Sequence, residues 1–165
     1  MEIAIKTINN IASLGQVVDA RDENWVREDL ATVRRAADRG NKNAAYELGV
    51  RLLTGRRVGL DLAQGVDWVR YAARRGSMKA QELLGFCLIW GIGTGVDGDE
   101  AVRCFQSAAR QGSALAYYNL GCCYLVGIGL PQSRRAARIY FERAAERGYA
   151  KASAALAALD ARTAA

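Results

Sequence analysis

The stretch AYYNLGCCYLVGIGLPQSRRAARIYFERAAERG, residues 116–148, decides the fold because two earlier stretches of the chain follow the same pattern. Residues 80–112 read AQELLGFCLIWGIGTGVDGDEAVRCFQSAARQG, and residues 44–76 read AAYELGVRLLTGRRVGLDLAQGVDWVRYAARRG. The three copies start at residues 44, 80 and 116, so they are offset by 36 residues each time without a gap. Self-similarity at a fixed period in this range predicts a solenoid of stacked helical units.

Three kinds of position recur in register along the copies. They are the Leu-Gly pairs Leu48-Gly49, Leu84-Gly85 and Leu120-Gly121; the glycines Gly55, Gly91 and Gly127; and the Ala-Ala pairs that precede Gly76, Gly112 and Gly148. This pattern resembles the Sel-one-like repeat, a relative of the tetratricopeptide repeat, over roughly residues 28–158. The local departures are Leu52 and Leu88 in place of a tyrosine, Cys104 and Tyr140 in place of a tryptophan, and Ser133 in place of an aspartate.

The resemblance implies an all-α fold, an α-α superhelix that forms a right-handed solenoid of about three repeats with helical caps. We expect a single domain over residues 1–165. Its expected parts are an N-terminal helix and half repeat over 1–42, repeats over 43–78, 79–114 and 115–150, and a C-terminal capping helix over 151–165. Members of this family are mainly interaction scaffolds, so the resemblance implies a protein partner and no reaction.

Each unit is predicted to contain a first helix, called the A helix, and a second, called the B helix. The A helices are expected over 43–54, 79–90 and 115–126, and the B helices over 61–75, 97–111 and 132–147. Outside the copies we expect a helix over 3–18, a polar turn over 19–24, a B-type helix over 28–39 and an A-type helix over 152–161. Spacings of three and four between apolar residues support the first of these helices.

Several residues are predicted to set the ends and the packing of these helices. Asp61, Asp97 and Ser133 are expected to cap the N-termini of the B helices, and Gly40, Gly76, Gly112 and Gly148 to end helices in the left-handed conformation. Gly49, Gly85 and Gly121 lie inside A helices, where a glycine costs about 0.5–1 kcal/mol relative to alanine. We expect the B helix of the same unit, with its Ala-Ala pair, to lie against them.

The composition is that of an ordinary folded chain. Its 165 residues are 51% hydrophobic and 24% charged, which is typical of globular domains. The longest uncharged apolar run, residues 83–93, is too short to span a bilayer. Residues 1–18 lack the basic segment and continuous apolar core of a signal peptide. A cytoplasmic protein is therefore the default expectation.

The residues that usually carry catalysis or bind metals are scarce. The chain has no histidine and no C-x-x-C pair, which argues against a zinc site. Its cysteines, Cys87, Cys104, Cys122 and Cys123, are interpreted as small buried hydrophobic residues. Gly91-Ile92-Gly93-Thr94-Gly95 follows a predicted helix rather than a strand, so it is an inter-helix turn and not a dinucleotide fingerprint. We expect no metal, no cofactor and no enzymatic activity.

A second apolar stripe on the A helices is the candidate binding site. It is offset by about 200° of helix rotation from the stripe that contains Leu48, Leu84 and Leu120. In tetratricopeptide-like solenoids the A helices line the concave surface, so the resemblance places this stripe in a groove that receives a partner polypeptide. The candidate residues are Tyr46, Val50, Leu53, Glu82, Phe86, Ile89, Trp90, Tyr118, Cys122 and Leu125, with Val126 beside them. The large aromatic residues are the expected anchors.

Several alternatives to an open groove remain. The stripe is also compatible with coverage by the N-terminal helix of the chain or with burial in a homodimer. Within the resemblance, an immunity protein that neutralises a secreted toxin by tight binding is an alternative to an adaptor. The net charge of +6, carried largely by arginines late in the B helices, leaves non-specific nucleic-acid binding on the convex face as a third function.

Overall fold

A computed structural model describes residues 23–161, with side chains described from Trp25 onward. Over this range all regular secondary structure is α-helical. The helices are α1 Glu23–Arg27, α2 Leu30–Asp38, α3 Lys42–Thr54, α4 Leu62–Arg74, α5 Met78–Trp90, α6 Gly98–Arg110, α7 Ala114–Val126, α8 Arg134–Glu146 and α9 Ala150–Ala161. The A helices are α3, α5, α7 and α9, and the B helices are α2, α4, α6 and α8. Each helix from α2 onward packs mainly on the helices before and after it in the chain, as in a solenoid.

The predicted all-α solenoid is confirmed, and the predicted helices agree with the observed ones to within about two residues. Helix α1 was not predicted, because the polar composition of residues 19–24 indicated a turn there, whereas the structure begins a helix at Glu23. The helix expected over 3–18 lies outside the described residues.

Side-chain caps and glycines define the helix ends as expected. The side chains of Asp61, Asp97 and Ser133 accept the backbone N–H three residues further on, at 2.9, 2.8 and 3.2 Å. These bonds satisfy backbone donors that have no partner inside the helix. Four glycines adopt the predicted left-handed conformation after the B helices: Gly40, Gly76, Gly112 and Gly148, with φ of 92°, 80°, 92° and 82°.

The interior glycines allow each A helix to approach its B helix closely. A Cβ atom built on Gly85 would lie 2.6 Å from Phe105 Cε1, and one built on Gly121 would lie 2.5 Å from Phe141 Cε1. At Gly49 the nearest atoms belong to Val69 and to the backbone of α4, at 2.7 and 2.9 Å. The expected approach of the B helix is confirmed. The side chain nearest to each glycine belongs to a larger residue one turn before the Ala-Ala pair: Val69, Phe105 or Phe141.

The N-terminal end of the stack is held by a buried arginine. Arg51 on α3 is fully buried, and its Nε donates to the Glu47 carboxylate at 2.8 Å. Its Nη2 donates to the backbone carbonyls of Trp25, Val26 and Glu28 at 2.7, 3.2 and 2.9 Å. The guanidinium therefore ties the C-terminal end of α1 to the first full repeat, because those carbonyls lack helical partners.

Candidate functional site

The candidate site is one side of the A helices, called here the A surface. It is formed by positions that repeat every 36 residues: 46, 82 and 118; 50, 86 and 122; and 54, 90 and 126. The helix period places these positions on one side of each A helix, since they are separated by four residues. The A surface therefore runs across α3, α5 and α7.

A cavity of about 340 Å³ opens at the N-terminal end of this surface, between α3, α5 and α7. Its lining residues are Tyr46, Met78, Lys79, Glu82, Leu83, Gly112, Ser113, Ala114, Leu115 and Tyr149. Most of these side chains are apolar or aromatic, and Lys79 and Glu82 are the charged residues among them. A concave apolar site with a few polar groups is the usual form of a binding pocket.

Glu82 is an acidic group in the cavity whose pKa is shifted by burial. Its Oε1 accepts a hydrogen bond from the Ser113 hydroxyl, and the Ser113 Oγ in turn accepts the Ala116 N–H at 2.9 Å. Burial raises the pKa of the Glu82 carboxyl above its usual 4.5, although the Ser113 hydrogen bond and the charge of Lys79 act in the opposite direction. Desolvation of the charged form therefore dominates at this residue.

The contact between Glu82 and Ser113 is one of two equivalent contacts between successive repeats, and the sequence analysis did not predict them. Ser113 is the N-cap of the next A helix, and Tyr149 stands 36 residues later. The ring of Tyr118, equivalent to Glu82, lies 5.0 Å from the ring of Tyr149 between centroids. Each of these A-surface residues thus contacts the start of the following repeat. The 36-residue period could have identified these contacts from the sequence, because 82 and 118 are equivalent positions and so are 113 and 149.

Trp90 is the most exposed aromatic anchor among the predicted residues. It is 56% exposed, and its ring centroid lies 6.3 Å from that of the half-buried Phe86. Val126, at the same position of the next A helix, is 65% exposed. Ile89 and Leu125 are half-buried beside them. These residues form an apolar patch at the C-terminal end of the A surface.

Two predicted groove residues are core residues instead. Val50 is 3% exposed and Leu53 is 0% exposed. Leu53 faces α4, since a Cβ atom built on Gly65 would come within 2.8 Å of its Cγ. Val50 belongs to the same core cluster of buried side chains. The prediction that these two residues line an open groove is wrong, because both side chains are buried in the hydrophobic core.

Tyr118 and Cys122 are half-buried, and they make contacts within their own repeat unit. The Tyr118 ring lies 5.4 Å from that of Phe141 on α8. Burial raises the pKa of Tyr118 to about 12, and its hydroxyl also hydrogen-bonds Cys122. Burial likewise raises the pKa of the Cys122 thiol. These two residues therefore pack within their own unit and also expose part of their side chains on the A surface.

The remaining cysteines are free thiols, and Cys104 lies beside the charged side chains of Glu100, Arg70 and Arg103. Cys87 and Cys123 are buried and Cys104 is half-buried. Burial raises the pKa of Cys87 to about 12 and those of Cys104 and Cys123 to about 11. A thiol that resists ionisation is a poor nucleophile and a poor metal ligand. Across residues 23–161 the structure groups no three acidic or cysteine side chains that would hold a metal ion.

The opposite face carries basic side chains. A shallow cavity of about 210 Å³ lies between α4 and α6, and its lining includes Arg70, Arg74 and Arg103. Glu100 is ion-paired with Arg70 there, which lowers the local positive charge. Among the described helices, none is long and apolar enough to cross a bilayer.

The comparisons with known proteins agree with this architecture. Residues 42–77, 79–113 and 114–149 each match the family model of the Sel1 repeat. The crystal structure of a Sel1 repeat protein from Oxalobacter formigenes is similar, with 32% identity, a TM-score of 0.70, and coverage of 75% of this chain and 95% of that one. No curated protein is similar enough in sequence to count as a relative.

A second similar structure is c5321, a protective antigen present in uropathogenic Escherichia coli strains that displays an SLR fold. It is 29% identical with a TM-score of 0.74. The match covers 88% of this chain and 34% of that one, so the chain spans about a third of the length of that protein.

Proposed function

Because this chain belongs to the Sel1 repeat family, whose members generally act as protein–protein interaction scaffolds, we propose that it binds a partner polypeptide on the A surface. The partner lies across α5 and α7 and is anchored mainly by Trp90, with Phe86 beside it. Val126 extends the apolar contact to the next helix.

The exposure of Trp90 is the observation that carries this proposal. An indole that is 56% exposed leaves a large apolar area in water, which costs free energy roughly in proportion to that area. Trp90 lies against the half-buried Phe86, and the exposed Val126 occupies the equivalent position of the next A helix, so apolar side chains recur along the A surface, as they do at interaction sites. Tryptophan is among the residues that most often dominate binding energy at protein interfaces.

The test is affinity capture from native cells with matched variants. Wild-type protein, Trp90→Ala and Ile139→Ala are immobilised and exposed to the same lysate. Ile139 is the control because it is an exposed apolar residue on a B helix, at 41% exposure. We expect a partner retained by wild type and Ile139→Ala to be lost from Trp90→Ala, and its affinity, measured by calorimetry, to fall about 30-fold or more.

Two results would contradict the proposal. One is equal retention of every captured protein by wild type and Trp90→Ala. The other is a wild-type dimer in sedimentation that becomes monomeric in Trp90→Ala, because the A surface would then be occupied by a second copy of the chain. Unchanged melting temperatures of both variants are the control for folding.

A further inference from the structure

The cavity at the N-terminal end of the A surface differs in chemistry from the apolar patch around Trp90. Its walls include Tyr46, Met78, Leu115 and Tyr149, and the Glu82 carboxylate lies among them. A volume of about 340 Å³ is at the lower end of the range for ligand pockets. It has room for a long side chain of a partner.

The Glu82 carboxylate is incompletely compensated in this position. The Ser113 hydroxyl occupies one of its oxygens, and Lys79 lies close enough for its charge to act on the carboxylate. These two favourable contributions do not offset the loss of water, since the net effect is to raise the pKa of the carboxyl. A half-buried carboxylate can form charge-assisted hydrogen bonds with a cation that enters its pocket.

The cation must also suit aromatic and apolar walls. A guanidinium is planar and weakly hydrated, and it stacks on tyrosine rings while it donates to a carboxylate. A lysine ammonium is strongly hydrated and costs more to bring into the same pocket. The combination of Glu82, Tyr46 and Tyr149 therefore fits an arginine side chain best.

We propose that this cavity receives an arginine side chain of the partner polypeptide, whose guanidinium pairs with the Glu82 carboxylate between the rings of Tyr46 and Tyr149. This inference rests on the proposed function, because the arginine is carried by the polypeptide that crosses the A surface. It divides the surface into an arginine pocket formed by α3, α5 and α7 and an apolar patch around Trp90.

The pocket can be tested without knowing the partner. The probe is N-acetyl-arginine methylamide, and its neutral isostere, N-acetyl-citrulline methylamide, is the comparison. The chain has two methionines, Met1 and Met78, so methyl-labelled methionine gives few signals, and a Met78→Leu variant assigns the one from the pocket. We expect a saturable shift of the Met78 methyl signal, with a Kd of about 1–10 mM.

The charge of Glu82 is tested with two variants. Glu82→Gln should weaken binding of the arginine probe about tenfold or more, because it removes a charge-assisted hydrogen bond. Glu142→Gln changes an exposed glutamate on α8 and should leave binding unchanged. Absence of a saturable Met78 shift would overturn the inference. So would equal binding of the citrulline probe, or equal binding by Glu82→Gln.

The captured partner separates this inference from the proposed function. Glu82→Gln should lower partner affinity about tenfold or more, and replacement of one arginine of the partner by lysine should lower it as well. If Trp90→Ala abolishes capture while Glu82→Gln leaves affinity unchanged, the arginine pocket is refuted and the proposed function stands. If the arginine probe binds through Glu82 while Trp90→Ala retains every partner, the proposed function is refuted.

Discussion

Replacement of Gly121 by alanine should destabilise the protein, although alanine is the better helix former. The added Cβ would lie 2.5 Å from Phe141 Cε1 and 2.6 Å from its Cδ1, whereas carbon atoms pack best at about 3.5–4.0 Å. The overlap is therefore about 1 Å against a rigid ring. Phe141 is 1% exposed, and Tyr118 lies against it with 5.4 Å between ring centroids, so the ring has little space to move.

Two opposing effects set the size of the change. Alanine in place of glycine favours the helix by about 0.5–1 kcal/mol, while overpacking a well-packed core costs about 1–3 kcal/mol, occasionally more. We expect overpacking to exceed the helix gain, with a net loss of about 1–2 kcal/mol. For a chain of this size, each kcal/mol lowers the melting temperature by about 2–4 °C.

The assay is urea unfolding of wild type and variants followed by circular dichroism. Gly95→Ala is the matched control, because a Cβ atom there would meet nothing within 4 Å, and its effect should stay within about 0.5 kcal/mol. Addition of Phe141→Leu should recover part of the loss in Gly121→Ala, since the two residues share one contact. A Gly121→Ala variant as stable as wild type would refute the proposed role of the glycine.

Three further predictions concern buried polar groups. Because the folded-state pKa of Glu82 is raised above 4.5, the unfolding free energy of wild type relative to Glu82→Gln should increase as pH falls from neutral, and the increase is complete only below pH 4.5, where the unfolded carboxyl is protonated too; urea titrations at several pH values test this, and a fall with acidification would contradict it. Arg51→Met should cost about 1–3 kcal/mol, since the backbone carbonyls at the end of α1 lose their donor while Glu47 keeps its ion pair with Arg56; thermal unfolding measures it, and an unchanged melting temperature would exclude the anchoring role. Cys87, whose pKa is raised to about 12, should react with a thiol reagent at pH 8 only after unfolding; mass spectrometry of labelled peptides identifies the site, and labelling of the folded protein at the rate of a free thiol would contradict its burial.

Much of the site required the tertiary structure, and the first repeat illustrates the reason. Positions 50, 86 and 122 are equivalent by sequence, but Val50 is 3% exposed while Phe86 and Cys122 are half-buried. The B-helix residue that faces the A helix is Val69 in the first unit and a phenylalanine in the other two. Equivalent positions therefore differ in burial because the side chains packed around them differ from unit to unit.

From α2 onward, the sequence by itself determined the helices, their ends and their order. Caps, left-handed glycines and apolar periodicity act within a few residues, and a strict offset of 36 residues repeats the same local rules in every unit. Only the tertiary structure decided that residues from α3, α5, α7 and the start of α9 enclose one cavity around Glu82. The physical reason is that a cavity and the pKa of a buried carboxyl depend on which side chains exclude water together, and that is a property of the packed solenoid.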